Sequence, residues 1–461
     1  MTKAQQYYPA TGPAPVEGKS PMFRSLWIYN YRLWFAGALI SNIGTWMQRT
    51  AQDWLVFNDL SDHDSTKMGI VMALQLGPQL FLAGYAGVMA DKVDRQKLLL
   101  FTQSVMALLS LGLGLLVLSG HTQIWHVYLF ALALGIIASF DAPVRQTFVS
   151  ELVSDKDLPN AVALNSTSFN TARMIGPAIA GIMVVAMGSG PVFLINTLTF
   201  VAMILAIVFI RNSELRELPH SLRGDSRMRD GFTYLKTRPD ILCVMVGVCL
   251  VGTFGLNTAL NIAAMATTEF GKGAGEFGFL NSVLAIGSVC GTLLAARRDM
   301  PRLRFIFGAA GAFGLASVIA ACSPNLVFFA LALIPMGLAA LTIITSANAY
   351  VQVTTEPEMR GRVMSLYMAV FIGGTPVGAP LVGFVNDVLG ARWGLGVAAA
   401  SGLLAALIGA LWYYRSQQLH LTFDRSTKTK FVLRRGDVLA PETHPDEPPV
   451  TTAALEIQQP R

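Results

Sequence analysis

Charge is what this sequence has little of: Asp, Glu, Lys and Arg together supply 13% of its residues, about half the share usual in a soluble domain. Water is therefore not the main solvent of the folded chain. Cysteine is scarce too, with four in 461 residues. Cys243, Cys249, Cys290 and Cys322 lie in or at the ends of apolar stretches without metal-ligand spacing, and they read as small buried hydrophobes. No nucleotide-binding glycine loop, nucleophile elbow or metal-ligand cluster occurs. The reading is accordingly of no enzymatic centre, no cofactor, no metal and no ATP-driven work by this chain alone. Residues 1–22 lack the apolar core and small-residue cleavage site of a secretory leader, so the first apolar span is expected to act as its own insertion signal.

What the sequence does contain is apolar runs of membrane length. A helix needs about 20 such residues to cross the hydrocarbon core, and Leu98 to Leu118, Val192 to Ile210, Ile241 to Thr268, Phe277 to Ala296 and Trp393 to Tyr414 carry no charge. The uncharged stretch from Phe305 to Thr355 is interrupted by Ser323-Pro324-Asn325, which predicts a hairpin of two helices. Less clean spans near Leu33–Phe57, Met68–Ala90, Ile124–Pro143, Ala161–Met187 and Val363–Asn386 bring the expected total to about twelve. The unbroken runs exclude the alternating strands of a β-barrel.

The basic residues sort to one side of these spans. Of 34 Lys and Arg, Lys67, Lys272 and Arg392 fall on the opposite side and Arg49 and Arg173 lie within spans, leaving 29 on one face. Such asymmetry predicts that both termini are cytoplasmic, with the chain in the bacterial inner membrane. It also accounts for a pI near 9.2 without any nucleic-acid partner.

The longest polar connector, residues 211–238, falls after the sixth span and divides the spans evenly. The expected organisation is an N-terminal segment at 1–22, a six-helix bundle at 23–210, a linker at 211–238, a second bundle at 239–415 and a disordered tail at 416–461. Paired halves place a substrate site between them near mid-membrane. Gly176-Pro177 with Gly181 in the fifth span has an echo in Ala379-Pro380 with Gly383 in the eleventh.

Three groups of residues stand out. The loop after the second span reads Gly87-Val-Met-Ala-Asp91-Lys92-Val-Asp94-Arg95, and topology explains its cations but not its acids. The fifth span carries Arg173-Met-Ile-Gly176-Pro177-Ala-Ile-Ala-Gly181, where Pro177 kinks the helix and the small residues permit close helix contact. Arg49 and Asp53 are spaced to share one face of the first span, and charge inside a membrane is functional by default. The competing reading makes Arg49 and Asp53 an interfacial pair at the outer surface. Asp53 is taken as the one carboxylate well inside an apolar span and as proton acceptor, with Arg49 or Arg173 as its electrostatic partner. Asn42, Trp46, Gln48, Gln75, Asn165, Asn170, Asn257 and Asn261 are candidates to line a cavity, although any one such group is more often a helix-packing hydrogen bonder than a ligand contact.

The Gly87-to-Arg95 loop resembles the inner-loop signature of the major facilitator superfamily. That resemblance implies an all-α membrane fold of two pseudo-symmetric six-helix bundles. It further implies that Asp91 faces the start of the eleventh helix near Gly361-Arg362, and that Arg95 meets Asp141 in a cytoplasmic gate that includes Arg145. The Gly176-Pro177 stretch resembles the antiporter motif of exporters in that superfamily, with Ser168 and Ala172 where the family carries glycines. Residues 23–415 resemble the drug:proton antiporter branch that includes enterobactin-type siderophore exporters and macrolide-efflux proteins. The stretches that carry this likeness are Asn42 to Arg49, Phe140-Asp-Ala-Pro-Val-Arg-Gln146, Asn160 to Asn165 and Arg360 to Ser365. The implied function is proton-coupled export of a small amphipathic molecule by a monomer. The alternatives are solute uptake by proton symport or facilitated diffusion, and a non-transporting receptor or assembly protein that keeps the fold.

Overall fold

The computed structural model describes residues 21–216, 228–296, 302–416, 419–423 and 431–435. A short helical turn at Pro21–Trp27 leads into α1 (Tyr29–Trp54), followed by α2 (Ser65–Lys92), α3 (Arg95–Leu118), α4 (Ile124–Leu152), α5 (Leu158–Met187) and α6 (Ser189–Val208). The linker contributes α7 (Met228–Thr237). The seventh span is broken: α8 (Pro239–Leu250) passes through a π-helical turn at Val251–Gly255 into α9 (Thr258–Ala264). Then come α10 (Ala274–Ala296), α11 (Leu303–Ala321), α12 (Leu326–Thr354), α13 (Pro357–Leu389) and α14 (Ala391–Ser416). Among the described residues ten spans are long and apolar enough to cross a membrane, with α8 and α9 counted as one. With 26 and 28 residues, α1 and α2 also have the length to cross, in keeping with the expected dozen.

Helix boundaries follow local chemistry. The side chains of Asp64, Asp94 and Asn325 accept backbone N–H groups at the starts of α2, α3 and α12, satisfying donors that have no intrahelical acceptor. Asp94, whose presence topology leaves unexplained, is thus the cap of its own helix. Gly188 and Gly390 take the positive φ values of 80° and 98° that end α5 and α13.

Within the first half α1 packs on α5 and α6, α3 on α4 and α6, and α2 on α4; in the second, α12 packs on α10 and α11. Near the basic face Trp34 and Phe148 are fully buried with ring centroids 5.1 Å apart, and the Tyr31 hydroxyl donates to Ala161 O. Large apolar side chains also point outward, among them Ile182 and Val185, each 69% exposed. Outward apolar surface suits a protein whose solvent is lipid.

Several expectations are revised. The linker is not merely a polar connector, because α7 packs on α13, with Gly231 against Arg362 and Leu366. Asp155, before α5, takes two 2.8 Å hydrogen bonds from Arg216, which hold its carboxyl below the usual range. Cys243 is buried as expected, but Cys249, Cys290 and Cys322 are exposed; an apolar span has a lipid-facing side, where a thiol needs no protein around it. The tail contains β1 (Leu419–Phe423) paired antiparallel with β2 (Phe431–Arg435), Leu421 opposite Leu433. Leu419, Leu421 and Phe423 alternate with polar residues, a strand period that a search for helical periodicity misses.

The two halves meet along α2 with α13 and α5 with α10. Both seams close tightly at the end away from the basic face. A Cβ at Gly181 would stand 2.8 Å from Ala274 O, and one at Gly69 would stand 2.5 Å from Ala379 O. Across the second seam the Asp387 carboxylate on α13 accepts from Ser65 N at 2.7 Å and Thr66 N at 2.8 Å, at the start of α2.

Candidate transport cavity

Between the two seams lies a cavity of about 430 Å³ lined from both halves. From α1 come Trp46, Arg49, Thr50 and Asp53; from α2, Met72, Gln75 and Leu76; from α5, Phe169, Arg173 and Pro177. The second half supplies Leu256, Thr258 and Ala259 at the break between α8 and α9, Phe277, Asn281, Leu284 and Ala285 on α10, and Phe371 and Thr375 on α13. Every charged lining residue belongs to the first half, and the second-half wall is neutral and largely apolar.

The helix break has a structural cause. Gly378 of α13 sits so close to Thr253 O that a side chain could not fit, and Gly374 would place a Cβ 2.7 Å from Thr253 Oγ1. With α13 this near, the seventh span opens into a π-helical turn, and Asn257 Nδ2 donates to Thr253 O at 2.7 Å. Irregular backbone inside a membrane is tolerated where it faces a cavity or is buried in protein.

Arg49, Asp53 and Arg173 share one wall, and both cations approach the Trp46 ring: the Arg49 guanidinium is 5.3 Å and the Arg173 guanidinium 5.7 Å from its centroid. Both distances are within cation–π range. Phe169 meets Trp46 edge-on at 5.8 Å. Among the described residues neither arginine forms an ion pair with a carboxylate, and Arg49 Nε has no hydrogen-bond partner. Asp53 is within electrostatic reach of Arg49, one turn away on α1. Because all three line an internal cavity, the reading of Arg49 and Asp53 as a surface pair does not describe their placement.

The fifth-helix motif joins this wall to the seam. Gly176 lies against α1, where a Cβ would be 2.6 Å from Trp46 Cβ, and Gly278 of α10 packs on Pro177 O. Gly181 faces Ala274 and Gly278. The Gly–Pro–Gly segment thus lets α5 touch α1 on one side and the opposite half on the other.

The gate residues divide. Gly87, Asp91 and Lys92 are in the last turns of α2, and their side chains lie outside the described residues. Arg95 pairs with Glu151 rather than with Asp141. Asp141 instead accepts from Thr102 Oγ1 at 2.8 Å, Gln103 Nε2 at 2.7 Å and Arg145 Nε at 3.1 Å, while Arg145 Nη1 donates to Asn42 Oδ1 at 3.3 Å. Asp-x-Pro-x-Arg therefore ties α4 to α3 and α1 within one half. Asp141 is also a second buried carboxylate inside a span, since α4 continues to Leu152 past the expected end at Pro143. Pro143 lies inside this long helix without ending it.

Of the neutral candidates, Trp46 and Gln75 line the cavity. Gln48 accepts from Ser110 and Asn196, binding α1 to α3 and α6. Asn257 and Asn261 are fully buried, Asn261 accepting from Asn386. Asn170 donates to Ser166 O within its own helix, and Asn165 is half-buried on α5 outside the lining. Sequence reasoning missed the second-half wall, because Leu284 or Phe371 in an apolar span carries no signal of facing a cavity. The cluster Gly373-Gly374-x-Pro376-x-Gly378 is the signal that could have found where α13 approaches the broken helix.

The profile of the family described as transmembrane secretion effector matches residues 12–432. The staphyloferrin A transporter of Staphylococcus aureus is 23% identical over 399 residues, covering 86% of this chain and 98% of its own. The enterobactin exporter EntS of Escherichia coli O1:K1 is 24% identical over 360 residues, covering 76% and 83% respectively. Among solved structures, a bacterial homologue of the human lysosomal transporter Spinster, inward-facing and unoccupied, superposes with a TM-score of 0.66 at 15% identity, covering 86% of this chain and 97% of that one. The nucleoside transporter NupG superposes at 0.65 with 14% identity, covering 84% and 100%. A cavity walled by two helical bundles, glycine-closed seams between them and a profile spanning nearly the whole sequence lead to one assignment: the chain belongs to the transmembrane secretion effector family of major facilitator transporters.

Proposed function

We propose that this transporter exports a small amphipathic molecule across the bacterial inner membrane by alternating access, driven by proton entry, with both termini cytoplasmic. The observation that carries the reading is the cavity between the halves, where Asp53, Arg49 and Arg173 face a neutral, largely apolar wall. A cargo with a polar end and an apolar body matches both surfaces. Asp53 is the proton acceptor, with Arg49 as its electrostatic partner. The 29 basic residues on one face support the orientation, and the seams closed at the other face then correspond to the state open toward the cytoplasm. Cavity and seams are complete within one chain, which supports a monomer.

Export is favoured by the names of the relatives, one a siderophore exporter, and by the Gly–Pro segment of α5 sealing the seam. A second reading, proton-coupled uptake, is favoured by one observation: the cations outnumber Asp53 on the cavity wall, so a bound anion and a proton on Asp53 would stabilise one another. Everted membrane vesicles with an acidified lumen separate the two. Adding the cargo outside should alkalinise the lumen if cargo and proton exchange, and acidify it further if they travel together. Hypersensitivity of a deletion strain to antibiotics, dyes or siderophore-like chelators identifies the cargo to use. A pH change that persists in Asp53→Asn would remove Asp53 from the coupling step.

A further inference from the structure

The cavity wall carries more positive than negative charge, with Arg49 and Arg173 against Asp53. Arg49 and Arg173 approach the same Trp46 ring at 5.3 and 5.7 Å, an arrangement that sets two like charges near each other. Their one acidic neighbour on the lining is Asp53. Charge at mid-membrane is costly and ordinarily faces a partner, and ordinary structural arginines in this chain have one: Arg145 holds Asp141 at 3.1 Å and Arg238 holds Asp240 at 2.8 Å. Arg49 and Arg173 have no such ion pair among the described residues, and Arg49 Nε is buried without an acceptor.

Guanidiniums present planar sets of donors that match carboxylate and phosphate oxygens, and the Trp46 indole that both approach is a flat apolar platform. The opposite wall offers Phe277, Leu284 and Phe371. We propose that Arg49 and Arg173 form an anion site beside Trp46, so that the cargo is a small organic acid. Its negative group sits at the two guanidiniums, and its apolar or aromatic body lies against α10 and α13. This rests on reading the cavity as the transport site, and it holds for either direction of transport. An inside-negative membrane potential itself drives such an anion outward.

The test uses the full-length transporter in nanodiscs and three probes of one shape: 2-naphthoate, 2-naphthylmethanol and 2-naphthylmethylammonium. By equilibrium dialysis, naphthoate should bind about tenfold more tightly than the alcohol, and the ammonium least of all. Arg173→Gln and Arg49→Gln should each remove that advantage while leaving the alcohol within about twofold. Arg173→Lys, which keeps the charge but loses the planar fork, should retain part of it, showing that charge and not a collapsed fold is being read. Equal affinity for all three probes, tightest binding of the ammonium, no binding of any probe, or acid selectivity untouched in both Gln variants would each overturn the anion site. Counterflow of labelled naphthoate in proteoliposomes tests the underlying reading separately. Acid that binds through the arginines without crossing leaves the anion site standing and removes the transport role. Probes that cross without preference for the acid remove the anion site alone.

Discussion

The two walls of the cavity differ in kind. The first half contributes Arg49, Asp53 and Arg173 beside Trp46, whereas the second contributes a neutral face of Leu284, Phe277 and Phe371. The two halves thus differ in what they offer the cavity, one its charge and the other a neutral, largely apolar surface. Changing Asp53 on the first wall should alter energy coupling, changing Arg49 or Arg173 beside it should alter affinity for a negative group, and changing the second wall should alter affinity for the apolar body. The sharpest break between them is Asp53→Asn. It removes the titratable group at nearly constant volume, so accumulation driven by a pH gradient should fall to background while downhill exchange of the same cargo persists. Proteoliposome assays with and without an imposed gradient measure the two arms. Equal loss in both would assign Asp53 to cargo binding instead.

A second contrast separates the cavity from the seams that close it. Gly278 packs on Pro177 O and Gly181 across the α5–α10 seam, leaving no room for a side chain. Gly278→Leu should oppose closure by roughly 1–3 kcal/mol, the usual cost of overpacking, shifting the balance of the two states by roughly tenfold or more. Spin labels placed across the face opposite the basic one should report longer distances in the variant, with turnover falling in parallel. An unchanged distance distribution would mean that the seam yields without opening.

How much of this was legible in the sequence depends on what each feature is made of. The helical, multi-span character was legible because a long uncharged run is a one-dimensional property of the chain. Arg49, Asp53 and Arg173 were legible for the same reason: a charge in an apolar run has few places to go. The partner of Arg95 was not, because Glu151 and Asp141 lie about 15 Å apart along one helix, and only packing decides which is met. Asn257, Asn261 and Gln48 failed as cavity candidates because a buried amide is as useful in knitting helices as in touching cargo. The apolar wall was silent, since its residues look the same whether they face lipid, protein or an empty space.

On that silent wall, Leu284→Ala should raise KM roughly threefold to tenfold with kcat little changed, as expected when binding is lost equally from ground and transition states. The loss of an apolar contact of this size is roughly 1–3 kcal/mol at most. A fall in kcat at constant KM would instead place Leu284 in the moving seam and blur the division of labour between the walls.

The smallest effect should come from Asp387, which tests the contrast between faces most finely. Its carboxylate crosses from α13 to accept from Ser65 N and Thr66 N, at the positive end of α2. A carboxylate so placed contributes about 1 kcal/mol when partly exposed, and the contribution is screened by salt. Asp387→Asn keeps an acceptor but removes the charge, so the closed population should fall roughly twofold to fivefold. The difference between variant and parent should shrink as ionic strength rises, and spin-label distances at low and high salt provide the measurement. The lock must be this weak to be useful, because a seam that opens and closes in every cycle cannot be held by more energy than cargo or proton binding supplies. A salt-independent loss, or one far larger, would make Asp387 a fixed part of the fold and shift the burden of gating to the glycine contacts alone.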